Sequence, residues 1–162
     1  LRRQRQMCIR DRNKALDYGA YTTEAFEGGV LQIGKAMEGD VKFDLPDGHP
    51  DAGQDIAAYY LWLFPNMMFN FYPWGLSLNV VVPVSPTQTR VLYRGYVRDA
   101  ELASQGAGSL LDTVEDQDQW VIELVQRGMA SSVYDRGRYS PTREQGVHHF
   151  HRMLANLFDE KQ

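Results

Sequence analysis

The feature that most constrains the fold is a run of four segments rich in aromatic and β-branched residues. The segments are 58–64, 67–72, 76–84 and 89–97, and each is bounded by Pro, Asn, Gly or Ser. Aromatic and β-branched side chains favour strands, whereas the bounding residues favour turns. Because connections this short join antiparallel neighbours, the run predicts four antiparallel strands in sequence order.

The flanking regions predict loops and helices. Residues 27–55 are rich in Gly, Pro and Asp, which predicts a loop with one strand at 30–36. Residues 113–129 change to a helical period, and the expected buried stripe consists of Val121, Ile122, Val125 and Met129. A final helix is predicted to begin with Ser140 as the N-cap. This order predicts an α+β domain in which an antiparallel sheet wraps around a long helix.

Composition limits the class of protein. The chain has 162 residues, 43% of them hydrophobic, which suits one domain with its own core. No apolar run approaches the ~18 residues of a membrane span, so we expect a cytoplasmic protein without membrane or nucleic-acid partners. The single cysteine, Cys8, excludes a disulfide framework and an iron–sulfur cluster held within this chain.

The first twelve residues differ from the rest in charge. Residues 1–12, LRRQRQMCIRDR, contain five arginines and one aspartate, although the whole chain has a net charge of −4. Such a basic segment would suit a nucleic-acid or membrane arm or a transit-like segment. The interpretation that we prefer is a cloning or assembly junction. Residues 1–12 are therefore left out of the fold prediction, and the domain is taken as 13–162.

Three histidines cluster in GVHHFHR, residues 146–152. On a helix, Glu144, His148 and His151 would project from one side, and they are the residue types of a two-histidine-one-carboxylate iron site. Seven residues of helix rise about 10 Å, however, and metal ligands must end ~2 Å from the ion. Instead of a metal centre, we therefore expect His151 to lie beside the apolar stripe and His148 and His149 to lie at the rim, hydrogen-bonded to neighbouring carboxylates.

The acidic residues 115–118 offer a better metal ligand. Glu115 and Asp116 suit the first turn of a helix, where the dipole favours negative charge. Asp118 precedes Val121 and Ile122 by three and four residues, so it is expected to face the core, where a carboxylate is costly unless it is paired or bound to a metal. Asp118 is therefore a candidate metal ligand or catalytic carboxylate. A pocket for an apolar molecule is predicted from side chains of the aromatic strands, namely Trp62, Phe64, Asn66, Met68 and Asn70.

Three segments together resemble one family. They are WLFPNMMFNFYPWGLSLNVVVPVSPTQTRV, VEDQDQWVIELVQRGM and GRYSPTREQGVHHFHRMLANLF. They are similar to the C-terminal part of the catalytic domain of Rieske non-haem iron oxygenases, which include ring-hydroxylating dioxygenases and choline- and carnitine-type monooxygenases. The resemblance covers Asn13 to Phe158. It implies a helix-grip (SRPBCC-like) fold with a mononuclear Fe(II) between sheet and helix, and a [2Fe–2S] cluster in a separate N-terminal domain.

The resemblance also implies a ligand and a missing part. The family pattern of Asp, four residues, Glu, two residues and Gln falls on Asp118, Glu123 and Gln126. Asp116 is the alternative if the register is shifted by two. In the family the two iron-binding histidines lie upstream of the sheet, in the region that corresponds here to residues 1–12. The resemblance therefore implies one ligand of three, a sheet that is incomplete at its N-terminus, and a chain that is inactive alone.

The implied partners are an aromatic or other small organic substrate, together with O₂ and a ferredoxin or reductase as electron donor. A homo-oligomer of the intact α subunit is also implied. Two alternatives remain at this stage. One is a metal-free helix-grip module that binds an apolar ligand, and the other is a structural or interaction role through exposed edge strands. Which substrate is used, and whether one or two oxygen atoms are added, does not follow from the sequence.

Overall fold

The computed structural model of the protein describes residues 16–109 and 111–159, apart from the side chain of Tyr18. The predicted junction segment 1–12 lies outside the described residues, and its assignment stays a prediction.

Six antiparallel strands form one sheet, and each strand pairs with its neighbour in sequence. Residues 58–97 of the sheet contain the four predicted strands, whose bounds differ from the prediction by no more than two residues. The strands are β1 (Leu16–Phe26), β2 (Gly29–Ala36), β3 (Ile56–Leu63), β4 (Met67–Tyr72), β5 (Gly75–Ser85) and β6 (Gln88–Val97). The prediction of an antiparallel sheet in sequence order is confirmed.

The first strand is the one that the sequence did not predict. β1 has 11 residues and pairs with β2, but the register shifts between Asp17 and Thr22. Within this irregular part Gly19 donates its backbone N–H to a carboxylate oxygen of Asp17 at 2.8 Å. The irregularity breaks the alternation of apolar and polar residues, which is the signal by which a strand is recognised.

The strand register divides the sheet into two faces. Successive side chains of a strand point to opposite sides. The inner face carries Tyr60 and Trp62 of β3, and the outer face carries Leu61 between them together with its cross-strand neighbour Phe69 of β4. Both helices lie on the inner side.

Two helices complete the described fold, α1 (Leu111–Met129) and α2 (Gln145–Asp159). α2 packs on the inner side of β1 and β2, and the ring of Phe150 meets the edge of Trp62 with 5.0 Å between centroids. α1 runs over the inner face but stands away from it. The predicted α+β class is confirmed. No described helix combines the length and apolar character that a membrane crossing requires.

The start of α2 differs from the prediction. Ser140 was expected to cap the helix, but the helix begins at Gln145. Residues 140–144 form a separate turn in which the backbone N–H of Ser140 donates to Glu144 Oε2 at 2.6 Å. Glu144 therefore closes a turn with its side chain, and its backbone carbonyl accepts the first helical hydrogen bond, from His148 at 2.9 Å.

The buried core lies at one end of the inner face, under the segment 98–109. Trp74 stacks on Tyr72 with 5.1 Å between centroids, and its indole N–H donates to the carbonyl of Ala107 at 3.2 Å. The fully buried Ala57 and Ala58 complete this contact. Hydrophobic burial is therefore concentrated at this end rather than beneath α1.

The buried stripe predicted for α1 is wrong in part. Ile122, Val125 and Met129 are 66%, 52% and 50% exposed. The side of the helix that faces the sheet carries Glu115, Asp118 and Ile122 instead. The reason is that α1 encloses a cavity rather than packing on the sheet, so the polar residues of this helix need not point to bulk solvent.

Candidate functional site

A cavity of about 1660 Å³ lies between the inner face of the sheet and α1. Its sheet wall is mostly aromatic with a few amides, and it includes Tyr60, Trp62, Met68, Asn70, Asn79 and Tyr93. Its helix wall is polar, with the carboxylates of Glu115, Asp118 and Glu123 beside Ile122, and with Arg127 near the end of the helix. A largely apolar space with a few polar groups is typical of a binding site for a small molecule.

Strand alternation explains the sheet wall. Trp62, Met68, Asn79 and Tyr93 pair across neighbouring strands and form one row on the inner face. Every second residue of each strand contributes to the wall, which is why Tyr60 lies beside Trp62. The aromatic character of this face therefore follows from the sequences of β3 to β6.

The helix wall follows from helical periodicity. Glu115, Asp118 and Ile122 lie at positions i, i+3 and i+7 of α1 and share one side. Asp118 is half-buried in the cavity wall, whereas Asp116 is exposed and outside it. This geometry is compatible with Asp118 as a ligand and disfavours the alternative Asp116. Metal binding by Asp118 stays a prediction.

Glu115 has a partly buried carboxyl group whose pKa is shifted. Its Oε1 is buried and has no hydrogen-bond partner among the described residues. Burial, and secondarily the negative charges of Asp112, Asp116 and Asp118, raise the pKa of Glu115 to about 7. At neutral pH this carboxyl group is therefore present in both protonated and ionised forms. Glu115 was expected in the first turn of the helix, but the helix begins at Leu111, so Glu115 lies beyond that turn.

Tyr93 of β6 faces the same acidic side of α1. Burial raises the pKa of its phenol above the usual 10, and the carboxylates of Glu115, Asp118 and Asp116 raise it further. The phenol thus stays protonated and can donate a hydrogen bond into the cavity. The alternation in 89–97 was the signal by which Tyr93 could have been assigned to the wall.

The described residues do not complete a metal site by themselves. Within 16–109 and 111–159, no three residues of the types His, Cys, Asp and Glu are grouped so that they could hold a metal ion. Iron held by two histidines and one carboxylate needs three converging ligands. Asp118 would supply one of these, so two more would have to come from outside the described part of the chain.

The predicted pocket residues divide into two groups. Trp62, Met68 and Asn70 line the cavity, but Phe64 and Asn66 are not part of the described wall. Phe64 packs against the rings of both Trp62 and Phe150, whose centroids are 6.1 and 6.4 Å from its own. Asn66 lies in the turn between β3 and β4, where its side-chain amide donates to the carbonyl of Val81 at 2.8 Å. Both residues lie beyond the end of β3 at Leu63, so the alternation of inward and outward side chains along the strand does not apply to them.

The histidines of α2 contact different groups. His149 Nε2 hydrogen-bonds the carbonyl of Phe26 at 3.0 Å, which ties α2 to the end of β1. His151 Nδ1 hydrogen-bonds the hydroxyl of Tyr139, and the ring of His148 meets the same tyrosine at 5.1 Å. These contacts anchor α2 and the segment before it.

The sequence of this chain matches a known protein family. Residues 33–160 match the family described as the ring hydroxylating alpha subunit, catalytic domain. The chain belongs to this family. The match covers both the aromatic strands and α1, so the resemblance inferred from the three sequence segments is confirmed.

Curated relatives in the family are monooxygenases and a hydroxylase. Choline monooxygenase of Arabidopsis thaliana is 32% identical over 151 residues, which are 86% of this chain and 32% of that protein. The carnitine monooxygenase oxygenase subunit of Escherichia coli K12 is 30% identical over 81% of this chain and 37% of its own length. Putrescine 2-hydroxylase of Bordetella bronchiseptica is 25% identical over 81% and 33%. The chain thus spans about a third of the length of these relatives.

Proposed function

We propose that this chain is the C-terminal part of the catalytic domain of an oxygenase α subunit that hydroxylates a small aliphatic amine or ammonium compound. The observation that carries the proposal is the half-buried Asp118 on the cavity side of α1, opposite an aromatic wall, in a chain of this family. In the proposed enzyme O₂ would be the oxidant and a ferredoxin or reductase the electron donor, and a [2Fe–2S] cluster in another domain would supply one-electron chemistry.

Iron in this enzyme would be bound in part by Asp118. The other two ligands would come from outside the described residues, as the incomplete ligand set requires. Reduced iron would supply the activation of O₂, which protein side chains do not provide. The role of the described residues is to hold the substrate against the rings of Tyr60, Trp62 and Tyr93.

The proposed substrate class is supported by the aromatic rings and carboxylates of the cavity, whose lining also includes Arg90 and Arg127. Choline, carnitine and putrescine, which the relatives' names contain, are aliphatic molecules with cationic nitrogen. An ammonium group over the face of Trp62 or a tyrosine ring gains about 0.5–2 kcal/mol from the cation–π interaction. Glu115 adds negative charge on the opposite wall. The described cavity thus offers both types of group that stabilise an organic cation.

The test is product analysis of the full-length protein with its electron donor. We expect hydroxylated product from choline, carnitine or putrescine, detected by mass spectrometry together with O₂ uptake. Product from a neutral aromatic hydrocarbon alone would contradict the proposed substrate class.

The ligand assignment has a matched pair of variants. Asp118→Ala should remove iron and reduce product to background, whereas Asp116→Ala on the same helix should retain both. Iron content is measured by metal analysis on folded protein. Full iron content and turnover in the Asp118→Ala variant would reassign the ligand.

A second candidate is a metal-free binding module. It is favoured by the size of the cavity and by the incomplete ligand set of the described residues. In that case the full-length protein, purified without iron, binds one apolar molecule per chain and shows no O₂ uptake with any electron donor. Calorimetric titration and an oxygen electrode distinguish the two candidates.

A further inference from the structure

The sheet wall of the cavity contains an amide that is held by a buried serine. Asn79 lies in the middle of β5 and lines the cavity, and its side-chain oxygen Oδ1 accepts a hydrogen bond from the hydroxyl of Ser77 at 3.1 Å. The two residues are two positions apart in one strand, so their side chains lie on the same face of the sheet. Ser77 is 2% exposed and is not itself part of the described wall.

The hydrogen bond from Ser77 determines which part of the amide is available to a ligand. A side-chain amide carries an acceptor oxygen and a donor N–H₂ group on opposite sides of one carbon. Because Oδ1 is bound by the buried hydroxyl, the N–H₂ group of Asn79 points away from Ser77. This group has no hydrogen-bond acceptor within the described residues. Asn79 therefore offers N–H donors to the cavity.

The strand context of Asn79 indicates that packing is not the reason for this residue. Asn is disfavoured in strands, and Asn79 stands between Leu78 and Val80, whose side chains are apolar. An amide on a half-buried surface also loses hydration, and this loss is costly unless its donors find an acceptor. A ligand that carries an acceptor oxygen would supply the missing partner.

The neighbours of Asn79 on the inner face suit an ammonium group. Tyr93, its cross-strand partner in β6, faces the carboxylates of Glu115 and Asp118 on α1. Trp62 lies two strands away in the same row, which corresponds to about 10 Å between the backbones. A cation within ~6 Å of the Trp62 ring and an oxygen ~3 Å from the amide nitrogen of Asn79 can therefore belong to one small molecule.

We propose that Asn79 determines substrate specificity by donating a hydrogen bond to an oxygen of the substrate, and that Ser77 is the positioning residue that holds the amide in this orientation. The inference rests on the proposed function, since it assumes an amine or ammonium substrate in this cavity. It narrows the substrate class to ammonium compounds that also carry an acceptor oxygen, as a hydroxyl or a carboxylate. A diamine has no such oxygen and would leave the N–H donors of Asn79 unpaired.

Calorimetric titration of the full-length protein tests the inference, and the electron donor is omitted so that binding is measured without turnover. Two probes have the same charge and nearly the same shape. Methoxyethyl-trimethylammonium has an ether oxygen that only accepts hydrogen bonds, and butyltrimethylammonium has a methylene group in its place. We expect the ether to bind about tenfold more tightly, because it pairs a donor that the other probe leaves unpaired.

Two variants separate the roles of the two residues. Asn79→Asp keeps an acceptor for the Ser77 hydroxyl but replaces the N–H₂ group by an oxygen, so the preference for the ether should fall to within about twofold or reverse. The added charge acts equally on both probes. Ser77→Ala leaves the amide free to rotate, and the preference should fall to about threefold. A loss of packing alone would weaken both probes equally and leave their ratio unchanged.

The same substitutions outside the cavity wall serve as controls. Asn156→Asp lies on α2, and Ser104→Ala lies in the segment 98–109. Both should leave the ratio of the two dissociation constants within about twofold of the unmodified value. Near-UV circular dichroism of every variant checks that the tertiary structure is retained.

Two further ligands distinguish a hydroxyl from a carboxylate as the acceptor. Choline carries the hydroxyl and trimethylammoniobutyrate carries the carboxylate. The acceptor is the group whose ligand binds more tightly than butyltrimethylammonium and loses this advantage in the Ser77→Ala variant.

Equal binding of the ether and butyl probes to the unmodified protein would overturn the inference, and so would a preference that survives Asn79→Asp. Tighter binding of the butyl probe would overturn it as well, because the amide would then present its oxygen to the cavity. An unchanged ratio in Ser77→Ala would refute the positioning role of Ser77. All these results leave the proposed function standing. If no ammonium probe binds, the proposed substrate class itself is contradicted, and this inference with it.

Discussion

The two ends of the inner face differ in how they use the same sheet. At one end Tyr72 and Trp74 are buried beneath the segment 98–109, and the indole N–H of Trp74 has a hydrogen-bond partner. At the other end α1 stands over a cavity and presents Glu115 and Asp118 to it. Hydrophobic burial stabilises the first end, whereas the second end carries partly buried carboxylates that oppose folding. Stability and candidate chemistry thus depend on different residues, although Leu16, Tyr72 and Ala107 of the core also line the cavity.

The largest expected effect on stability distinguishes a tryptophan of the core from a tryptophan of α1. Trp74 is 6% exposed in the core, whereas Trp120 is 45% exposed on α1. We expect Trp74→Ala to lower the free energy of unfolding by about 3–5 kcal/mol, because it leaves a cavity and an unpaired carbonyl. Trp120→Ala should cost less than about 1 kcal/mol. Urea denaturation followed by far-UV circular dichroism measures both, and equal losses would show that α1 is packed as firmly as the core.

Substitution of two glycines by alanine tests the same difference between the packed end and α1. Gly75 at the start of β5 has φ +154°, and a Cβ there would collide with the carbonyl oxygen of Tyr96. Gly75→Ala should therefore destabilise the protein by about 2 kcal/mol. Gly128 near the end of α1 has open space around the position of a Cβ, and Gly128→Ala should stabilise the helix by about 0.5 kcal/mol. A stabilised Gly75→Ala variant would mean that β5 and β6 separate easily at this point.

The sheet was predictable where local sequence determines the strand. Residues 58–97 combine strong strand formers with short turns, and the structure keeps the predicted order and nearly the predicted bounds. β1 was missed because its irregular pairing with β2 breaks the alternation. The start of α2 was predicted four residues early because the carboxylate of Glu144 closes a turn with Ser140, a contact that a capping pattern does not distinguish from a helix start.

The candidate site was predictable only in part. The spacing from Ile122 indicated the side of α1 on which Asp118 lies. The burial of Glu115 depends on how far α1 stands from the sheet, which is a tertiary distance that helical periodicity does not contain. The same distance explains why Val125 and Met129, predicted to be buried, are exposed. Phe64 and Asn66 were misplaced because the end of β3 cannot be located to one residue from the sequence.

The smallest expected effect concerns the pH dependence that Glu115 contributes. Its pKa is raised from 4.5 to about 7 in the folded protein, so the folded state retains a proton that the unfolded state has released. Its contribution to stability is fully present below about pH 4.5 and is lost as the pH rises to about 7. Because the side chain is partly exposed to solvent, we expect this loss to be only about 1 kcal/mol.

Glu115→Gln should remove this part of the pH dependence, since an amide does not ionise. The difference in unfolding free energy between Glu115→Gln and the unmodified chain should grow by about 1 kcal/mol in favour of the variant between about pH 5 and pH 8. Glu38→Gln, an exposed site after β2, is the control and should show a constant difference. Urea denaturation at both pH values provides the measurement. A constant difference for Glu115→Gln as well would mean that its carboxyl group is hydrated, and the contrast between the packed and the acidic end of the inner face would then rest on packing alone.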